Sequence, residues 1–408
     1  MSFIINPFIF GAPAGIADPT DIPGLVLWMD PLDDTTFRYG GTLQTAGDTY
    51  TYSVSPHASY PDTGGLEMTD GLVGTTSFAN ARWAGWFNAA ALTTTFDLGV
   101  ATHIGYGRVH SLKDTTSGID LITALSLEYS DDGSSWTLGG TVSVTTGSYG
   151  TPTVNWLTVN VDGDAGAHRY WRFVTAGAGI FQFHSEMELY GSTTAARTVS
   201  AWTDKSTNGF VITQATEANR PTTGSRTIGG LNALDFTPND HLFRTATQIV
   251  NSSDGNWTAF MVASVDVDAL AIPLDQDPGS GNRVAQFFRW NAGSVLQSLV
   301  WNTAGTIYAD SAGTPVINTP YVFSAVRGSA SIETRLNGSS PGGATATAGT
   351  NRTNAVNLTI GAYAGGVVGT AAYLNGLIGE VIIYNRALTA SEVGQVEAYL
   401  ANLRGISL

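Results

Sequence analysis

Short strand-like runs, some of them alternating apolar and polar positions with a period of two, recur along most of this chain between Gly, Asp, Asn and Ser clusters. That period belongs to half-buried β-strands. In the C-terminal half the pattern predicts strands over 257–265, 284–290, 295–303, 321–327, 332–337, 357–362 and 376–384. Between residues 40 and 192 it predicts a separate set over 49–55, 91–98, 102–110, 124–130, 135–138, 155–161, 169–175 and 182–190. Asp131-Asp132-Gly133 reads as a hairpin turn within that set. One helix is expected. Thr389 is a good N-cap and Glu392 completes a capping box. Val393, Val396, Tyr399, Leu400 and Leu403 repeat at helical spacing, and Gly405 ends the run. The helix is expected to pack on the rim of a sandwich.

The strand sets are interleaved. Ile22-Pro23-Gly24-Leu25-Val26-Leu27-Trp28-Met29-Asp30 reads as a first strand, and its continuation Val199-Ser200-Ala201-Trp202-Thr203-Asp204-Lys205-Ser206 arrives only after the second set is complete. The expected organisation is a leader over 1–20, one discontinuous sandwich over 21–37 and 196–408, and an inserted sandwich or jelly roll over 40–192. Tyr39-Gly40-Gly41 and Gly191-Ser192-Thr193-Thr194 are the expected hinges. Insertion at a loop tip directs the search for function toward loops and surfaces.

Composition sharpens the picture in three ways. Only 12% of residues are charged, lysine occurs only at Lys113 and Lys205, and Gly numbers 48, which suits short strands joined by turns. The net charge of −15 lacks the basic footprint of a nucleic-acid or anionic-membrane binder. No cysteine is present, so disulfides and thiolate metal sites are excluded, while hard cations such as Ca²⁺ remain compatible. Residues 1–15 are apolar, have no basic n-region and are broken by Pro7 and Pro13. They read as neither a signal peptide nor a membrane span. The two readings left are a disordered leader and a docking arm that orders on a partner.

Pro23-Gly24-Leu25-Val26-Leu27-Trp28, Trp202-Thr203-Asp204-Lys205-Ser206-Thr207-Asn208-Gly209, and above all Leu374-Asn375-Gly376-Leu377-Ile378-Gly379-Glu380-Val381 with Tyr384-Asn385-Arg386-Ala387-Leu388-Thr389 carry a resemblance. The outer portion resembles the laminin-G-like, concanavalin-type lectin sandwich of phage structural proteins and bacterial surface proteins. Met68-Thr69-Asp70-Gly71, Phe96-Asp97-Leu98-Gly99, Tyr129-Ser130-Asp131-Asp132-Gly133, Arg169-Tyr170-Trp171-Arg172-Phe173 and Ser185-Glu186-Met187-Glu188-Leu189-Tyr190-Gly191 carry a second one. The insert is similar to the discoidin-like, galactose-binding sandwich family. Together they imply an all-β protein that binds carbohydrate or a surface, to which the sequence pattern adds one C-terminal helix, though neither fold guarantees that function.

The second resemblance implies a Ca²⁺ held by Asp70 and Glu186. The competing reading makes Asp70 a turn cap and Glu186 an ion-pair partner. Sugar recognition needs aromatic faces and polar forks, for which the candidates are His57, Tyr60, Asp62, Trp83, Trp86, Phe181 and His184, with burial the competing role for Trp83 and Trp86. Arg169 and Arg172 are expected to pair with carboxylates inside the domain. Asp266, Asp268, Asp275 and Asp277 read as a solvated acidic loop, with Ca²⁺ binding in the outer sandwich the competing reading. No catalytic residues are assigned. The Glu-x-Asp-x-x-Glu run that glucanases of the concanavalin type place on one strand does not occur. The single Gly-x-Ser-x-Gly match, at Gly338, leads into a Gly/Ala/Thr-rich loop.

The expectation is a non-catalytic bacteriophage virion protein, tail- or head-associated. It would bind a host-surface glycan, contact other virion proteins through its N-terminal arm and act as a homo-oligomer, without nucleic acid or membrane insertion. The alternatives are structural decoration of a capsid or tail without glycan binding, and an extracellular carbohydrate-binding accessory protein of a bacterium.

Overall fold

The computed structural model describes residues 18–408, apart from 89–90, 120–121, 144–151, 162–164, 178–179, 195, 248, 250–254, 277–283, 303–304, 312, 341–344, 347–355 and 364–371. The expected docking arm therefore lies outside the described residues up to position 17, as does Asp277. The chain divides into two compact units, one formed by Met1–Thr36 with Ala201–Leu408 and the other by Phe37–Ser200.

The first unit is a sandwich of two antiparallel sheets. One sheet is centred on Gly376–Tyr384. Leu25–Met29 pairs along one edge of that strand, and Trp257–Val265 pairs along the other and leads on to Tyr321–Arg327 and Ser331–Leu336. Trp257–Val265 and Gly376–Tyr384 are buried at every position, as strands covered on both faces must be. The second sheet runs Val211–Thr213, Leu242–Thr247, Val356–Ile360, Ala271–Gln276, Ala285–Asn291, Val295–Asn302, Gly305–Asp310.

Asp204 explains how the two halves of this unit hold together. Its buried carboxylate accepts from the backbone N–H of Trp28 (2.7 Å) and of Ser206 (2.8 Å) and from the Ser206 hydroxyl (2.5 Å). Lys205 reaches back to Asp30 (2.9 Å) and Asp33 (3.1 Å) and lies over the Trp28 ring. The Trp-Thr-Asp-Lys-Ser stretch is thus a clasp on the first strand.

The helix Ala390–Arg404 is capped as its sequence predicts, with the reciprocal Thr389–Glu392 box and a left-handed Gly405. It packs on the face of the first sheet and not on a rim. Val393, Val396 and Leu400 enter one cluster with Phe260, Val262, Ile382 and Tyr384. Two charged residues of the helix go into the same contact. Arg404 meets Glu380 in a pair with neither side chain exposed (2.8 Å), and Glu397 accepts from Ser324 (2.5 Å) and Arg335 (2.8 Å). The apolar stripe alone understates the buried face, which is why the sequence suggested a rim.

The acidic loop is solvated as expected at Asp268, which is exposed, but not throughout. Asp266 pairs with Arg226 (2.6 Å), Asp268 accepts from the Trp290 indole (3.1 Å) and the Ser294 N–H (2.9 Å), and Asp275 is buried in a strand.

The second unit wraps a core of Trp86, Phe96, Trp171, Phe173, Leu127 and Met187. Its longest strand, Ala91–Lys113, serves two layers. Its first part pairs with Ala167–Gly177, and its second part lies between Thr153–Asn160 and Phe181–Ser192. The sequence suggested two strands here because Gly99 interrupts the alternation. As expected, Arg169 pairs with Asp97 (2.7 Å) and Arg172 with Glu128 (2.6 Å). The segments that open and close this unit run together, with the Gly40 N–H donating to the Thr198 carbonyl (2.8 Å).

Candidate functional site: an exposed aromatic tip

Ala84–Phe87 pairs antiparallel with the start of Phe181–Ser192, so that Phe87 faces Phe181 and Gly85 faces Phe183. Strand alternation then sorts the side chains. Trp86 and His184 go inward, while Phe87, Phe181 and Phe183 go to the opposite face. The loop before this strand is stitched onto that face. The His57 N–H donates to the Gly85 carbonyl (2.7 Å), and the Gly85 N–H donates to the Tyr60 carbonyl (3.0 Å). A Cβ at position 85 would sit 2.8 Å from the Phe183 ring, so the closeness of this layer requires glycine there.

The result is a cluster of planar rings. His57 stands edge-on to Phe181 at 5.6 Å and lies 6.0 Å from both Tyr60 and Phe87. Phe87 packs on Phe181 at 5.1 Å yet remains 50% exposed. Ile180, pinned beside it by the bond from the Asn88 N–H to the Ile180 carbonyl (2.7 Å), is 53% exposed. The Ser59 N–H donates to His57 Nδ1 (3.2 Å), so the proton of the neutral ring sits on Nε2, an atom with no protein partner among the described residues. Next to the rings, a cleft of about 420 Å³ is lined by Ser59, Tyr60, Thr63, Phe78, Asn80 and Trp83.

Of the candidates read from the sequence, this arrangement brings together His57, Tyr60 and Phe181. It does not bring in the others. Trp83 is buried, stacked on His110 at 5.3 Å, with its indole N–H on the Thr75 carbonyl (2.9 Å); it gives the cleft only an edge. Trp86 is a core residue whose indole donates to the Val54 carbonyl (2.9 Å). His184 is fully buried against Trp86, with neither ring nitrogen hydrogen-bonded. Burial, reinforced by His110, lowers its pKa to about 3, so it stays neutral. No ligand in solvent reaches these last two rings, and their assignment to a sugar site is corrected accordingly. Asp62 is occupied by the hydroxyls of Tyr50 (2.9 Å) and Tyr52 (2.5 Å) and by the Glu67 N–H (3.2 Å). Phe87 and Ile180 were missed. The available signal was that Phe87 directly follows a tryptophan in a strand, and so faces away from it.

Asp70 and Glu186 are neighbours. Glu186 accepts from the Gly71 N–H (3.0 Å), while Asp70 accepts from the Leu72 N–H (2.8 Å) and pairs with Arg82 (3.0 Å). Burial, with Glu188 and Asp70 adding repulsion, raises the Glu186 pKa to about 8. Among the described residues no three His, Asp or Glu side chains gather as a metal cluster. A cation here would therefore rest on these two carboxylates and oxygens of the Asp70 turn. The crowding of Glu186 fits such an ion, since a positive charge would relieve it.

Residues 239–394 match the family model of the concanavalin A-like lectin/glucanases superfamily. Solved structures similar to the chain include the sialidase of Trypanosoma rangeli in complex with the inhibitor DANA, at 15% identity and a TM-score of 0.36, covering 49% of this chain and 31% of the sialidase. They also include CpGH89CBM32-6 of Clostridium perfringens, at 16% identity and a TM-score of 0.25, covering 37% of this chain and 100% of that one. A third is the C-terminal domain of a chitobiase from Bacteroides fragilis, at 15% identity and a TM-score of 0.29, covering 37% and 98%. No curated protein matches the sequence. Among the described residues, no helix is long and apolar enough to cross a membrane.

Proposed function

We propose that this protein binds glycans without catalysis, through the tip formed by His57, Phe87 and Phe181. The observation that carries the proposal is the half-exposed Phe87, held at the edge of a ring cluster centred on Phe181, beside a histidine whose Nε2–H points to no partner among the described residues. A sugar ring offers an apolar C–H face and hydroxyls at its edge. An aromatic face with one fixed donor beside it matches both. The lectin/glucanase-type match over 239–394 and the discoidin-like motifs of the other unit support the same reading. Asp70 and Glu186 are proposed to hold a structural Ca²⁺, which would supply positive charge between the Asp70 turn and the closing strand.

The setting we propose is a bacteriophage virion surface, tail- or head-associated, with the apolar N-terminal arm docked on other virion proteins and many copies acting together. Multivalency suits weak single-site sugar binding. The test is adsorption of the purified full chain to whole host bacteria, competed with soluble surface polysaccharide. Competition is expected for wild type, and loss of adsorption for Phe87→Ala. Adsorption that ignores the polysaccharide contradicts the proposal. The exposure of Phe87 and Ile180 also favours a second reading, in which the tip is buried against a neighbouring subunit and the protein decorates a particle without binding sugar.

A further inference from the structure

A different face of the same unit carries a second arrangement. The register sets Arg108 opposite Glu188 on one neighbouring strand and Thr158 on the other, with Tyr106 opposite Tyr190 and Asn160, and His110 opposite Trp156. Cross-strand partners share a face. The opposite face carries Val109, Met187 and Leu189 into the core.

On the outer face the planar groups form a row. The Arg108 guanidinium lies 4.0 Å over the Trp156 ring and 5.3 Å from the Tyr190 ring, and Tyr190 stacks on Tyr106 at 4.5 Å with 8° between planes. Glu188 pairs with Arg108 and accepts from the Tyr190 hydroxyl (2.7 Å), so the guanidinium is neutralised in place. The Arg108 side chain is 33% exposed; Trp156, Tyr190 and Asn160 are partly exposed, and Thr158 is exposed. Among the described residues, the Trp156 indole N–H, the Thr158 hydroxyl and the Asn160 carboxamide of the strand Thr153–Asn160 have no protein hydrogen-bond partner. They recur every second residue, about 7 Å apart.

We infer that this face is a second binding surface, for a neutral oligosaccharide lying along the strand Thr153–Asn160. Its chemistry selects that class. Arg108 covers one face of Trp156 and the two tyrosines cover one face of each other, so the remaining faces and outer edges of this row, which carries no net charge, meet the C–H faces of pyranose rings, and a line of donors and acceptors matches hydroxyls at the ring edges. An ionic ligand finds no uncompensated charge here, and a polyanion is repelled by a chain of net charge −15. The inference uses residues separate from the aromatic tip and does not depend on it.

The experiment is affinity electrophoresis of the full chain through gels containing a neutral β-glucan, a galactomannan or a xylan. Wild type is expected to be retarded by at least one of them. Trp156→Ala should weaken that retardation by roughly tenfold or more, and Asn160→Ala should weaken it severalfold. If Trp156→Ala fails to fold, Thr158→Arg, at an exposed position, blocks the same face. Wild type running unretarded in all three gels overturns the inference. So does retardation unchanged in the Trp156 or Thr158 variant and the Asn160 variant, or retardation abolished by Phe87→Ala alone, which would assign the binding to the tip.

Discussion

The Ser59 N–H donates to Nδ1 of His57 at 3.2 Å, and this single bond decides which end of the imidazole meets solvent as a donor. A loop histidine would otherwise exchange tautomers. Here the loop that carries it is laced to Gly85, so ring and donor are set before any ligand arrives. Phe87→Ala should weaken glycan binding by about tenfold or more while leaving the unfolding midpoint close to wild type, because a half-exposed ring contributes little to the core. Titration calorimetry and urea unfolding of the same variant check both halves.

Asp204 is predicted to matter to stability and not to binding. Its carboxylate is buried and receives the Trp28 and Ser206 N–H groups, so Asp204→Ala leaves two buried donors unsatisfied. The expected loss is about 2–4 kcal/mol in urea unfolding of the first unit, with Asp204→Asn recovering part of it. An unchanged midpoint would mean that the clasp does not hold the first strand.

The Arg404–Glu380 pair should show the asymmetry of buried charges. Removing either partner alone strands the other in the core and should cost roughly 3–5 kcal/mol. Replacing both, as in Arg404→Leu with Glu380→Leu, should cost less than either single change. Denaturant unfolding of the three variants tests this.

The Glu392 carboxylate is held by Arg386 and by the Thr389 N–H and hydroxyl, which lower its pKa to about 2. Its folded value lies below its unfolded one, so it adds stability above pH of about 4.5, and that stability is lost as pH falls toward about 2. Glu392→Gln should flatten this part of the pH dependence of thermal unfolding. A slope identical to wild type would contradict the assignment.

Calcium should raise the unfolding temperature of the wild type by a few °C and a chelator should reverse the rise, with no response in Glu186→Gln. Equal curves for wild type with and without calcium would remove the ion from the account.

Much of the fold could be read from the sequence, because buried strands in this chain are long and unbroken. The strands Trp257–Val265, Tyr321–Arg327 and Gly376–Tyr384 fall where the pattern puts them. Ala271–Gln276 did not stand out, since Pro273 and Asp275 break the apolar run of a strand that is nonetheless buried throughout. Ala84–Phe87 has only four residues and contains a glycine, so it did not read as a strand. That omission carried into the site. Without the strand, nothing in the sequence says that Trp86 and His184 point inward while Phe87 and Phe181 point out. His57, Tyr60 and Phe181 could be picked out as loop and strand-end rings. The row through Arg108 and Trp156 could not, because it depends on cross-strand register and not on spacing along the chain.

The most direct test of the central claim is a glycan microarray probed with the full chain and with a His57→Ala/Phe87→Ala double variant. Selective wild-type signal is expected on a set of glycans, with signal lost or sharply reduced at the spots the tip binds in a double variant that remains folded, while neutral oligosaccharides bound along the strand Thr153–Asn160 keep theirs. Equal signal from both proteins on every glycan, or no signal from a folded wild type on any glycan, would contradict that claim.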